Sequence, residues 1–408
     1  MTAAVRPGRG RARGGAAIAA PDLDAAIAAA EGSAVIIWRG ARLSYAAVPA
    51  RIAHTSGRAD RFALFNSYAE AAEAINPLRE ARLERLTQAA RAAGDDDLVS
   101  AAPELAGYDP EALSAGLQRF MDESETVYFA AVRRYLALID IEQGDAMVAD
   151  LWHVLEGSGW NQWFDTRRVS SALRATTDGL GWGPPPETDT TAEVSPWGAA
   201  GARLRAATGV VEARDAAGRT ASAGVAALLA ALLMDPVWLT GELGMGQAEV
   251  VGFTDFAAFA RLWRLRRDAA LLAYELRLYR AADAALRRAY FAGMVGLMTG
   301  VAEPEALYLA AVDRPWAAGA RLRAELLAAA ALDALRDRHG TAWWLSPPAG
   351  SQVQQLAAAP SAEDMLAQLG YDRLDWRPVL RQIRTQLIGE MSGYGGPNIT
   401  TRAGTRKV

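Results

Sequence analysis

Residues 59–93 have the sequence ADRFALFNSYAEAAEAINPLREARLERLTQAARAA, and this stretch decides the fold class. Apolar side chains recur at three- and four-residue spacing, with arginine and glutamate between them, which is the pattern of an amphipathic helix. Gly94 and the acidic run 95–97 then interrupt it. The stretch therefore predicts one long helix.

Comparable patterns occupy most of the remaining chain. The segment that begins at Asp109 also has a start signal, because an Asp cap precedes a proline at the first helical position. A small hairpin about Arg39-Gly40, over residues 35–45, is the clearest strand signal. The sequence thus predicts a mostly α protein with at most a small N-terminal β-hairpin. The further helices are expected at about 22–31, 109–139, 144–156, 165–178, 197–207, 220–234, 247–280, 284–297, 303–312, 316–338, 362–369 and 377–391.

The helices are expected to form a single domain over residues 21–391. A basic, Gly- and Pro-containing segment precedes it, and we expect residues 1–20 to be a disordered tail. Residues 392–408 are expected to be a flexible tail. The run GWGPPP within 179–196 breaks regular structure, so this segment is the best candidate linker. Two lobes about 179–196 remain possible within the one domain.

The composition excludes several classes of function. The chain has no cysteine, so it has neither a thiolate metal site nor a cysteine nucleophile. Its single lysine is Lys407, whereas phosphate-binding loops, kinases and pyridoxal-phosphate enzymes need an internal lysine. The net charge of −4 offers no broad basic field for nucleic acid. The longest apolar stretch is too short to cross a bilayer. Together with the Arg- and Ala-rich composition of a GC-rich bacterial genome, this predicts a cytoplasmic protein without a membrane partner.

The three histidines give no obvious metal site. No HxxxH pair occurs among His54, His153 and His339. His153 and Glu156 share a helix face, as in carboxylate-bridged metal bundles, but no second such motif follows, so we expect a surface pair. His54 is expected to be exposed, and His339 to cap the carbonyls at a helix end.

A group of arginines and a group of tryptophans have two interpretations each. Arg261, Arg264, Arg266 and Arg267 fall within one predicted helix. A solvated helix face is the default interpretation, and a surface for an acidic partner is the alternative. The tryptophans are more compatible with core packing than with an apolar ligand site.

Five short sequence segments, within roughly residues 70–369, occur in an order that indicates a family resemblance. They are Asn76–Leu83 (NPLREARL), Met234–Leu239 (MDPVWL), Leu272–Leu276 (LAYEL), Leu307–Asp313 (LYLAAVD) and His339–Gly350 (HGTAWWLSPPAG). In this order they resemble the thimet oligopeptidase / oligoendopeptidase F family of zinc metallopeptidases. The resemblance implies a multi-helical, zincin-like scaffold. It also implies strands before the zinc site, which residues 184–196 are too short to contain, so we expect those strands to be shortened or absent.

The resemblance also shows where the zinc ligands would stand. That family holds one zinc with HExxH on one helix and a Glu from the next, because two His at i and i+4 share a face and leave a coordination site open. On this chain, HExxH falls on residues 197–201 and the third ligand on Ala223. The family's late tyrosine falls near Ala320-Arg321. The degenerate positions are Trp197, Gly198, Gly201 and Ala223, none of which binds zinc.

The sequence therefore predicts a catalytically inactive, metallopeptidase-like protein (a pseudopeptidase) with no catalytic residue, metal or cofactor. We expect a residual cleft at Trp197, Trp316 and Arg321 and, as partner, a peptide or an active peptidase relative. Two alternatives are enzymes: an active metallopeptidase that hydrolyses oligopeptides with a non-standard metal site, and a hydrolase that uses another cleft. A decaying gene copy also stays open.

Overall fold

The structure, a computed structural model, describes residues 18–190, 193–208, 216–280 and 284–387. This part of the chain is mostly helical, with sixteen α-helices and several 3₁₀ turns. The helices are α1 Pro21–Ser33, α2 Val48–Ala53, α3 Arg58–Ala93, α4 Ala102–Ala106, α5 Pro110–Ala137, α6 Val148–Glu156, α7 Thr166–Gly179, α8 Pro196–Ala206, α9 Ala216–Ala230, α10 Pro236–Gly241, α11 Gln247–Leu278, α12 Ala284–Thr299, α13 Ala317–His339, α14 Pro347–Ala357, α15 Ala362–Leu369 and α16 Arg377–Leu387.

The predicted hairpin is confirmed. Strands β1 (Val35–Trp38) and β2 (Ala41–Ser44) pair antiparallel, with Val35 opposite Ser44 and Trp38 opposite Ala41. Arg39 and Gly40 form the two-residue turn with φ of 49° and 79°. Positive φ at both central residues matches the right-handed twist of the strands. This is the only sheet within the described ranges.

The two long N-terminal helices begin and end where local chemistry predicts. α3 ends at Gly94, whose φ of 95° is the left-handed conformation that favours glycine. α5 begins after Asp109, whose carboxylate accepts hydrogen bonds from the N–H groups of Glu111 at 2.9 Å and Ala112 at 3.1 Å. Both predicted helices are therefore confirmed, and their ends are set by neighbours in sequence.

Helix α11 lies at the centre of the fold. It packs against α5, α10, α12, α13 and α16, and apolar residues are buried along most of its length. Because buried residues come from most of its faces, α11 is an interior helix. Helix α9 packs closely against α13, and α8 packs against α9. These four helices, α8, α9, α11 and α13, form the frame of the candidate site.

The structure departs from the sequence prediction at several short segments. The helix predicted at 303–312 is wrong: the segment contains two 3₁₀ turns, Glu305–Leu307 and Ala310–Val312. Conversely, the sequence predicted no helix at α2, α4, α14 or α10. The start of α10 (Pro236–Gly241) nevertheless carries a local signal. Its Asp235 cap and following proline repeat the signal that begins α5.

The linker and tail predictions are only partly within the described residues. Between α7 and α8, residues 180–190 and 193–195 contain neither helix nor strand. Of the predicted N-terminal tail, Ile18 and Ala20 are buried, while residues 1–17 lie outside the described residues. Residues 388–408, which include the predicted C-terminal tail, also lie outside them. Among the described helices, none combines the length and hydrophobicity that a membrane span requires.

Candidate functional site

The positions matched to HExxH lie on the first turns of α8. Ser195 caps this helix, because its Oγ accepts a hydrogen bond from the N–H of Gly198 at 3.1 Å. A Cβ at Gly198 would lie 3.0 Å from Glu193 Oε2, and one at Gly201 would lie 3.2 Å from Leu233 Cδ1. Contacts this short leave little room for any side chain. In this fold, both glycine positions are packing positions.

Trp197, at the first matched position, is a core residue with 7% of its surface exposed. Its ring makes edge contacts with Phe256 and Phe253, at centroid distances of 5.5 and 6.5 Å. Its indole N–H donates to the Leu155 carbonyl at 3.2 Å. The ring is therefore held by aromatic packing on one side and a hydrogen bond on the other, which fixes its orientation.

A cavity of about 1220 Å³ lies between α9, α11 and α13. Three residues that the sequence singled out line it together: Ala223, Trp316 and Arg321. Trp197 does not line this cavity. It lines two smaller neighbouring spaces of about 260 and 60 Å³, which it shares with Gly198. The structure thus brings together two of the three predicted cleft residues and places the third beside them.

The wall of the cavity formed by α9 and α13 consists mostly of small apolar side chains. The two helices approach closely at Gly224, where a Cβ would lie 2.8 Å from Leu327 Cβ. Because alanines cover the neighbouring positions, the space between the helices and α11 stays open. The alanines are Ala223, Ala226, Ala227, Ala230, Ala317, Ala320 and Ala324.

Most of the charged groups around the cavity are already paired. Arg321 donates from Nε and Nη2 to both oxygens of Asp268, at 2.5 to 3.1 Å. The Nε of Arg261 donates to Glu325 at 2.8 Å. The two-pronged contact of Arg321 with Asp268 is the strong form of a carboxylate–guanidinium bond. These pairs leave the arginines little capacity for a ligand.

Arg264 differs from these arginines. It lines the large cavity and both smaller spaces, yet it makes no hydrogen bond or ion pair with any described residue. Its guanidinium lies over the Trp197 ring, 5.7 Å from the centroid. The side chain is exposed at the cavity, and partial desolvation by the protein atoms around it lowers the pKa of the guanidinium below its ordinary value. Arginine nonetheless stays protonated at neutral pH.

The sequence did not predict this role for Arg264. It grouped Arg264 with three neighbours on one helix face, but the structure directs the four arginines to different partners. Arg266 is buried and donates to the Met121 carbonyl at 2.9 Å, and Arg267 donates to Glu303 at 2.7 Å. At about 100° per residue, Arg261 and Arg264 share a face and Arg266 does not. The spacing of these arginines along the helix could therefore have separated Arg264 from Arg266 at the sequence level.

The histidines form no metal site within the described residues, where no group of three His, Asp or Glu could hold an ion. His54 is exposed, as expected. The expected His153–Glu156 surface pair is wrong. His153 is half-buried with its Nδ1 2.6 Å from the Ala53 carbonyl, and burial lowers its pKa. Glu156 is buried, 3.6 Å from His54 Nε2.

His339 is at the end of α13, as expected, but its side chain does not cap the helix. Its Nε2 lies 2.9 Å from Gln352 Oε1 on α14, so the imidazole joins two helices. The carbonyl of Arg336 accepts from the N–H of Gly340 instead. The expected cap is therefore provided by the backbone.

Comparisons with known proteins add no family: no family model matches the chain, and no curated protein matches it.

Proposed function

We propose that this chain is a non-catalytic relative of the oligoendopeptidase F-type peptidases that binds a peptide in the cavity between α9, α11 and α13. The observation that carries the proposal is the cavity itself. It contains Ala223, Trp316 and Arg321, the residues at or beside the positions where the resemblance places a peptidase site. Its volume of about 1220 Å³ exceeds the 300–1000 Å³ of typical small-molecule pockets.

The lining suits a peptide. The alanines of α9 and α13 give apolar contact without filling the space, and Arg264 of α11 offers polar contacts. A mostly apolar site with a few placed polar groups is the usual form of a ligand pocket. The enzyme alternative, a metallopeptidase with a non-standard metal site, has no comparable support, since the described residues hold no three-ligand cluster.

Binding is tested with the full chain and a library of random octapeptides that are N-acetylated and offered as free acids. Bound peptides are separated with the protein by size exclusion and identified by mass spectrometry. We expect retained peptides that share a sequence preference. Elemental analysis and a hydrolysis assay on the same sample are expected to show no stoichiometric zinc and no cleavage.

A pair of tryptophan substitutions locates the binding. Ala223→Trp adds a large side chain at an exposed position that lines the cavity, and it is expected to abolish retention. Ala29→Trp adds the same side chain at an exposed position of α1, outside the lining, and is expected to leave retention unchanged. Retention that survives Ala223→Trp would contradict the proposed site. One zinc per chain with chelator-sensitive cleavage would overturn the proposal in favour of the enzyme alternative.

A further inference from the structure

Arg264 lines the cavity without a direct hydrogen bond or ion pair to any described residue. The lining residues carry five arginines and four carboxylates. Asp268 and Glu325 are bound to Arg321 and Arg261, and Arg205 lies 3.5 Å from Glu193, an acidic residue of the neighbouring smaller space. Arg264 has no hydrogen-bonded partner among the described residues, so its donors are available.

The orientation of Arg264 is prepared by the residue beneath it. Trp197 is fixed by Phe253, Phe256 and the Leu155 carbonyl, and its ring face lies 5.7 Å from the guanidinium carbon. A cation over an indole face is attracted by the ring's negative potential. The guanidinium carries five N–H donors, and none of them is bonded to a described residue, so they are available to a planar acceptor.

The surroundings of Arg264 favour an anion over a neutral acceptor. Desolvation by the surrounding protein lowers the pKa of the guanidinium, and repulsion by Arg205 and Arg261 is partly offset by the attraction of Glu325 and Asp268. Glu325 and Asp268 are bonded to Arg261 and Arg321, so an incoming carboxylate would supply the direct acceptor that Arg264 lacks among the described residues. A second lining arginine, Arg314, is exposed and also has no hydrogen-bonded partner among the described residues.

We propose that Arg264 binds a carboxylate of the peptide ligand through a two-pronged hydrogen bond, while the alanine wall of α9 and α13 contacts small apolar side chains next to it. The inference rests on the proposed peptide-binding function and names the ligand class: a carboxylate-bearing, otherwise apolar peptide. The carboxylate belongs either to the peptide's C-terminus or to an Asp or Glu side chain, since both present the same planar acceptor.

The test uses the peptide that the library selects most strongly, titrated calorimetrically into four proteins. Arg264→Gln removes the charge and the planar pair of N–H donors. It is expected to weaken binding by about 10- to 100-fold, the range for hydrogen bonds to charged groups. Arg264→Lys keeps the charge without the planar pair of N–H donors, and its affinity for the peptide is expected to be intermediate. Arg133→Gln, an exposed arginine of α5 outside the lining, is the charge-matched control and is expected to bind like the unmodified chain.

Chemical changes to the peptide test the same bond without altering the protein. Amidation of the C-terminus, or replacement of each Asp and Glu by Asn and Gln, removes one source of carboxylate at a time. We expect one of these peptide changes to weaken binding to the unmodified chain as much as Arg264→Gln does. The same change should not weaken binding to the Arg264→Gln variant any further. This identifies the source of the carboxylate.

The outcomes separate the two proposals. If the unmodified chain binds peptide but Arg264→Gln binds within about twofold of it, the inference about Arg264 is overturned and the peptide-binding function stands. The inference is also overturned if neither peptide change weakens binding. If no octapeptide is retained by the unmodified chain, both proposals fail. Thermal unfolding of each variant shows whether a loss of binding reflects loss of the fold.

Discussion

The Arg264 guanidinium lies over the indole ring of Trp197, with 5.7 Å between the guanidinium carbon and the ring centroid. Trp197 stands at the position that the proposed family resemblance assigns to the first zinc-binding histidine. The aromatic ring there supports a cation at the edge of the cavity. This pair links the packing of α8 to the proposed ligand site.

Trp197 is expected to contribute strongly to stability, because the side chain is almost fully buried among aromatic neighbours. Trp197→Ala should lower the free energy of unfolding by about 3–5 kcal/mol, the usual cost of removing a large buried aromatic residue. Trp197→Phe should cost less, since it mainly removes the hydrogen bond to Leu155, worth about 0.5–1.5 kcal/mol. Urea denaturation measures both. Equal costs for the two variants would show that the ring itself contributes little.

Glu275 is expected to make stability depend on pH. It is fully buried, its Oε1 accepts from the Trp316 N–H at 2.6 Å and the Tyr279 O–H at 3.1 Å, and its Oε2 has no partner among the described residues. Burial raises the pKa of this carboxyl from 4.5 to about 8. Between these two pKa values, Glu275 is ionised in the unfolded chain and protonated in the folded chain. Rising pH therefore lowers the free energy of unfolding by at most about 1.4 kcal/mol per pH unit.

Glu275→Gln removes this titration and keeps the oxygen that accepts from Trp316. Relative to this variant, the unmodified chain should lose stability as the pH rises from about 5 to 8, with little further change above 8, where both states are ionised. Denaturation curves at pH 5, 6.5, 8 and 9 measure the difference. A difference that stays constant over this range would contradict the assignment.

Gly224 is expected to set the distance between α9 and α13. Gly224→Ala would place a Cβ 2.8 Å from Leu327 Cβ, and overpacking of this kind costs about 1–3 kcal/mol, more than the helix propensity gained. Gly293→Ala in α12 is the matched control: no atom lies within 4 Å of its Cβ, so it should stabilise by about 0.5–1 kcal/mol. Thermal unfolding distinguishes them, and shifts of the same sign would be unexpected.

Asp235 is expected to matter more than an ordinary helix cap. Its carboxylate is buried, accepts from the N–H groups of Val237 and Trp238, and binds Arg336 at 2.7 Å. Asp235→Ala should cost about 2–4 kcal/mol, because it removes a cap and leaves a partly buried arginine without its acid. Asp165→Ala removes the exposed cap of α7 and should cost about 1 kcal/mol. Equal costs in urea denaturation would show that the Arg336 contact adds nothing.

The sequence predicted the secondary structure best where the deciding signal is local. The Asp109-Pro110 cap, the glycine that ends α3 and the Arg39-Gly40 turn act on their own neighbours, and all three are as predicted. The helix prediction for residues 303–312 was wrong. The apolar spacing there is compatible with a helix, but the segment packs against other elements as two 3₁₀ turns. Tertiary contacts overrode a short pattern that propensity alone could not settle.

The candidate site was less predictable than the helices that frame it. Composition and periodicity determined that this is a mostly helical protein, because hydrophobic spacing and caps operate within one or two turns of the chain. Only the tertiary structure decided that Arg264 faces a cavity while Arg266 and Arg267 bind partners in the core. These neighbouring arginines have different surroundings because the groups that contact their side chains come from helices distant in sequence. Helical spacing fixes the direction of a side chain, but it does not determine which groups that side chain contacts.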